Sequence, residues 1–340
     1  MFLLKKIKAS SLQMVLVVSV IIILLLFAFI SLIYIQKKTS IKNSNFKESV
    51  YLTHQVFDYI KKNDLPFGSN KSINFFEKEN QQVISFKKQW GLFELLTITS
   101  KIKNESFSKT ALIGYKNKKR EALYLSNNNQ QLILVGNTLI NGNATIPSRG
   151  VNSGNIAGVS YNKQQYIFGK TSLSETSLPV ILNTKKIQEF LSTYNNDSIE
   201  YFDLENETIV KNSFKQNTKV FQKNGMIEIY NSNLQGNIII ESDTLIKVHA
   251  KSTLKNIILI APKIEIKEGF NGNLQAFASE SISIKENCKL NYPTSLILTD
   301  NNEKGKITIS KFSTIKGAIV YLKNNEKRTN FNQNIFIENT

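Results

Sequence analysis

The chain carries one cysteine, Cys288, so no disulfide can form within it. Histidine is nearly as scarce. His54 and His249 lie in different regions with no second ligand-type residue at metal spacing, which excludes an ordinary zinc centre and implies no cofactor. Arginine occurs only as Arg120, Arg149 and Arg328, so the planar forks that read phosphate groups are missing from most of the chain. Gly154 and Gly158 are not followed at phosphate-loop spacing by GK[ST], and no Ser-His-Asp set is present. Acidic residues are also short, 26 against 43 basic ones, which leaves a net charge of +17. A dispersed excess of this kind favours weak, salt-sensitive attraction to a polyanion and gives no sequence or sugar readout. Its densest cluster, on the turn expected after Tyr115, is Lys116, Lys118, Lys119 and Arg120. No small-molecule substrate is implied.

One long apolar run is present. Residues 14–35, MVLVVSVIIILLLFAFISLIYI, contain two serines and no charge, enough to cross a bilayer core. The run is longer than the apolar part of a secretory signal and lacks a small-x-small cleavage site at its end, so it reads as an uncleaved anchor. Lys5, Lys6 and Lys8 precede it and Lys37 and Lys38 follow, so charge does not decide its orientation. Neither proline nor glycine occurs between Ala9 and Pro66, and nothing interrupts a helix until that proline. Beyond the apolar run, Phe46, Val50, Thr53, Phe57 and Ile60 recur at alternating spacings of four and three, one face of a stalk helix.

Ahead of the apolar run stand Lys8-Ala9-Ser10-Ser11-Leu12-Gln13-Met14. A basic run, a small residue and then an apolar helix resemble the leader junction of type IV minor pilins and type II secretion pseudopilins. The resemblance implies cleavage between Ala9 and Ser10. It places Leu12 at the third mature position, as the family pattern has it, and Met14 at the fifth, where most members carry Glu. It further implies a component of the inner (cytoplasmic) membrane whose C-terminal region is exported to the periplasm or cell surface, with other pilin-like subunits as partners.

From residue 73 to 125 the pattern turns to short runs rich in aromatic and branched residues, as strands are. The stretch WGLFELLTITSKIKNESFSKTALIGY reads as a long hairpin turning at Lys103-Asn104-Glu105-Ser106. An antiparallel sheet packed on the preceding helix makes a small α+β head.

The C-terminal half repeats. Ile246-Lys247-Val248, Ile264-Glu265-Ile266 and Ile282-Ser283-Ile284 follow one another at eighteen residues. Ile227-Glu228-Ile229 precedes the series by nineteen, and Ile307-Thr308-Ile309 follows by twenty-five after a polar insertion at 299–305. Each copy leads to a second apolar strand, such as Asn237-Ile238-Ile239-Ile240 or Ser295-Leu296-Ile297-Leu298. Alternation within short strands and a period near eighteen predict a stacked parallel β-helix with Ile258 and Ile284 facing inward. The region resembles the bactofilin-like class of polymer-forming β-helices. That resemblance speaks for fold, and for end-to-end polymerisation as a rival role.

Enzymatic β-helices stack carboxylates across coils on one face. Here the column is Lys247, Glu265, Ser283 and Thr308, one acid among neutrals and a base, so no catalytic residue is expected. The chain reads as mainly β: residues 1–36 a leader and transmembrane helix, 37–66 an amphipathic stalk helix and 70–125 a small α+β head. Residues 126–182 read as irregular β rungs, 183–222 as an insertion with a short helix, 223–325 as the parallel β-helix and 326–340 as a C-terminal tail. The expected role is that of a membrane-anchored envelope component displaying a β-helical head for filament assembly or surface binding. The alternatives are a tethered polymerising scaffold and an adhesin for anionic glycan or DNA.

Overall fold

The computed structural model describes residues 9–63, 71–72, 81–114, 121–156, 158–176, 189–192, 194, 199–300, 305–323 and 335–337. The chain forms two compact units, Met1–Lys88 with Leu95–Leu112, and Gln89–Glu94 with Ile113–Thr340.

The first unit is built on one helix, α1 (Ala9–Lys62), of 54 residues. At a rise of 1.5 Å per residue it spans about 80 Å. Strands β1 (Lys71–Ser72), β2 (Gln81–Trp90), β3 (Phe93–Ile102) and β4 (Glu105–Ile113) form a sheet in that order. The two-residue turns Gly91-Leu92 and Lys103-Asn104 join β2 to β3 and β3 to β4, connections that only antiparallel neighbours permit. The second turn is two residues, shorter than the four expected, and Lys103 takes the left-handed conformation at φ 51°.

The helix face that packs is not the one its large apolar residues mark. Ser49, Leu52, Thr53, Val56 and Ile60 are buried, whereas Phe46 is exposed and Val50 and Phe57 are half-buried. At 100° per residue the buried arc is turned by about 60° from the expected stripe. The cause is the small residues. The Ser49 and Thr53 hydroxyls bond back to the Phe46 and Ser49 carbonyls, which satisfies them inside the helix and lets the sheet come close. Val83, Leu96, Ile98 and Ile102 are buried in the sheet, and Phe107 of β4 meets Phe46 edge-to-face at 6.0 Å.

The second unit is a parallel β-solenoid of about nine turns. The repeat read from the sequence is its pairing register. Ile227 pairs Ile246, Ile246 pairs Ile264, Ile264 pairs Ile282 and Ile282 pairs Ile307. The column continues to Ile335 on the strand Ile335–Ile337, within the segment read as a tail. Earlier coils pair likewise, Leu123 with Ala144 and Ala144 with Thr171, so the irregular rungs also stack in parallel. In the segment read as a short helix, residues 189–192 are helical, and the rest of it lies mostly outside the described residues.

Every second residue of the strands enters one apolar lumen. Ile227, Ile229, Leu234, Ile246, Val248, Leu254, Ile264, Ile266, Ile282, Ile284, Leu296, Ile307 and Ile309 belong to it. Burying each such side chain stabilises the fold by about 1.5–3 kcal/mol, and only the neighbouring coils can supply that burial. At one corner an inward column reads Ser232, Ser252, Phe270, Cys288 and Ser313, all buried. Its hydroxyls bind the backbone of adjoining coils: Ser252 Oγ donates to the Ile229 carbonyl at 3.0 Å and accepts from Ser232 N–H at 3.2 Å. The Cys288 thiol reaches the Lys267 carbonyl at 3.2 Å, and burial raises its pKa. The lone cysteine is therefore a packed corner residue.

Coils approach closely at Gly236, whose φ is +96° and whose missing Cβ would overlap the Asn212 carbonyl oxygen. Asn212 and Asn237 are buried beside it. The Asn212 amide donates to the Asn217 and Asn237 carbonyls at 2.7 and 2.8 Å, and the Asn237 amide donates to that of Gln216 at 2.9 Å.

Candidate functional surfaces

Among the described residues, nothing packs on the N-terminal part of α1. Large apolar side chains from Leu12 to Ile35 are exposed on all sides of the helix. The helix is long and apolar enough to cross a membrane, with mean hydropathy of 3.3 in its most apolar window. An apolar helix bare on every side is stable only in a medium that does not hydrate it. Ala9 and Ser10, the expected cleavage pair, are the first two residues of α1. The expected anion-attracting cluster of Lys116, Lys118, Lys119 and Arg120 lies outside the described residues.

The outward face of the solenoid is a charged ladder. Glu228, Lys247, Glu265, Ser283, Thr308 and Phe336 stack in one column. Lys247 binds Glu228 at 3.3 Å, and Glu265 receives Lys267 at 3.0 Å and Lys285 at 3.4 Å. Burial pushes the Glu265 carboxyl up, but the hydrogen bonds and charges of Lys267 and Lys285 outweigh it and hold the group below its ordinary range. Glu268 and Glu286, which align on successive coils, turn to other partners. Asn287 donates to Glu268 at 3.3 Å, and Lys311 meets Glu286 at 3.5 Å.

These ion pairs share a direction. Among the described residues, six Lys–Glu pairs bridge successive coils: 219–200, 223–205, 247–228, 263–280, 285–265 and 311–286. In all but Lys263–Glu280 the lysine stands one coil further along the chain than its glutamate. Part of the basic charge of the solenoid is thus met by carboxylates within the stack.

The histidines remain apart. His54 Nδ1 lies 3.2 Å from Lys109 Nζ in the first unit. His249 in the second packs its ring edge-to-face on Tyr230 at 5.4 Å, with Nε2 at 3.7 Å from Glu228. Among the described residues no group of three His, Cys, Asp or Glu could hold a metal ion.

A polar clamp escaped the sequence reading. Gln275 shares an outward column with Ile239, Ile258 and Ser295, yet it is buried. Its Oε1 accepts from Leu92 N–H at 2.7 Å and from the Ser295 hydroxyl at 3.2 Å, and its Nε2 donates to the Trp90 carbonyl at 3.1 Å. Gly91 sits against the amide at φ +60°, where a Cβ would strike Oε1. The Trp90 indole packs edge-to-face with Phe190 at 6.0 Å and Phe214 at 5.5 Å, and Tyr194 reaches Glu241 through its hydroxyl. Residues 89–94 thus cover part of the solenoid's outer wall. Ile258, expected in the lumen, lies on this wall: Ile257 and Leu259 point inward and alternation turns Ile258 out, where it is still fully buried. Ile284 faces the lumen as expected.

Comparison with protein-family models, curated proteins and solved structures found no match to this chain. What the residues assemble is a helix with a bare apolar part, a small antiparallel sheet against its distal part, and a solenoid that pairs some of its outward charges between coils.

Proposed function

We propose that the chain is a membrane-anchored structural protein of the cell envelope, a minor pilin-like or pseudopilin-like subunit that carries a β-solenoid. The observation that supports this reading is α1. One uninterrupted helix of 54 residues has an apolar, unpacked N-terminal part and a distal part seated on a four-stranded sheet, which is the layout of a pilin. A subunit of this kind enters a filament through its bare helix and displays the rest. The proposed role is non-catalytic, because the carboxylates of the ladder are engaged by lysines and an asparagine rather than facing one another across open space.

The processing step tests the reading. The protein extracted from its native membrane is expected to begin at Ser10, with residues 1–9 removed by a peptidase that cuts after Ala9. Intact-mass measurement decides the matter. A chain that still begins at Met1 would leave a plain signal anchor as the better description. The second reading, a tethered scaffold polymerising through its solenoid, is favoured by Ile335 and Ile337, which stand exposed on the last described strand. It predicts filaments of the detergent-solubilised protein by electron microscopy, with no processing.

A further inference from the structure

Seven lysines of the solenoid have carboxylate partners, whereas the lysines beside the apolar run have no acid near them in the sequence. The first 47 residues contain seven lysines and no aspartate or glutamate; the first acid is Glu48. Lys37 and Lys38 are exposed helical residues directly after the run that ends at Ile35. On a helix the neighbours within reach are three and four positions away. For Lys37 these are Ile33, Tyr34, Ser40 and Ile41, and for Lys38 they are Tyr34, Ile35, Ile41 and Lys42, so none supplies a counter-charge.

A helix that ended here would use its last cations on its own free carbonyls. This helix continues to Lys62, so the backbone around Lys37 and Lys38 is already hydrogen-bonded and both ammonium groups are left over. Depth then places them. Residues 14–35 span about 33 Å at 1.5 Å per residue, close to the roughly 30 Å of a hydrocarbon core. Lys37 and Lys38 follow within about 5 Å of that boundary, at the level of the lipid headgroups, and Tyr34 sits where interfacial aromatic residues gather.

We infer that Lys37 and Lys38 bind the anionic headgroups of the leaflet at which α1 leaves the bilayer. The inference rests on the reading of α1 as a membrane span. The lipid supplies the negative charge that the chain omits, and two adjacent cations on one rigid helix hold the span at a set depth.

The test uses the full chain with Lys5, Lys6 and Lys8 changed to Gln, so that one end of the span alone is basic. It is reconstituted in phosphatidylcholine vesicles, and association of spin-labelled phosphatidylglycerol is compared with that of spin-labelled phosphatidylcholine. Phosphatidylglycerol is expected to be preferred. Adding Lys37→Gln and Lys38→Gln should lower the preference at least about fivefold, the effect of one basic residue at an anionic surface. Lys61→Gln with Lys62→Gln, at the far end of the same helix, should leave it unchanged. Absence of a preference, or one that survives the double substitution, overturns the inference while the membrane span stands. A chain that fails to float with vesicles after an alkaline wash overturns the span and the inference together.

Discussion

Glu265 is the position where the charge balance of the solenoid is most exposed to experiment. Two ammonium groups hold its carboxylate, and they overcome the desolvation that acts against its charge. Because the folded pKa is depressed, its contribution to stability is complete above the unfolded value of about 4.3 and is lost as pH falls through the lower folded value. The wild-type unfolding midpoint is expected to drop between pH 5 and pH 3 by more than that of Glu265→Gln. The deficit of the variant at pH 7 should therefore shrink on acidification. Urea titrations at several pH values check this, and parallel curves for the two proteins would mean that the lysines add nothing to the folded state.

Strands show what period and alternation can and cannot convey. The column from Ile227 to Ile307 was legible because each strand alternates and the copies keep nearly equal spacing. Ile335 was not, since the spacing from Ile307 lengthens to twenty-eight residues and the copy stands among polar residues. Alternation also says which side a residue takes but not whether that side is covered. Ile258 and Gln275 are both buried on the outer wall, and Gln275 is held there by residues 89–94, almost two hundred positions away, a contact that no local pattern reports. On α1 the seated face was misjudged because Ser49 and Thr53, which permit close approach, do not register as apolar. Ile258→Asp and Ile284→Asp are each expected to cost several kcal/mol, since both put an unpaired charge in a buried apolar site. Lys285→Asp breaks an exposed pair with Glu265 and sets two acids side by side, a loss of about 1 kcal/mol or less. Thermal midpoints of the three variants measure the ordering. A mild Ile258→Asp beside a severe Ile284→Asp would show that the outer wall is open in solution.

For the protein as a body, the net charge of +17 divides into two kinds. Five lysines of the solenoid have a glutamate one coil back, whereas Lys37 and Lys38 have no acid within helical reach. Binding to DNA or an acidic glycan is therefore expected to be weak and to fall steeply between low and physiological salt, as attraction without shaped contacts does. Salt titration of the detergent-solubilised chain against both polymers tests this. Tight binding that ignored salt would require a shaped anion site outside the ladder.

The shared direction of the inter-coil ion pairs has a further consequence. Each such pair holds its opposite charges 2.5–3.5 Å apart, so its dipole moment along the stacking axis is at most roughly 17 D. Five such pairs against one reversed do not cancel. The pairs alone therefore polarise the solenoid by at most something on the order of 60 D, with its positive pole toward the later coils. The dipole of these pairs makes the two ends electrically unlike, and it favours a neighbour aligned head to tail over one aligned head to head.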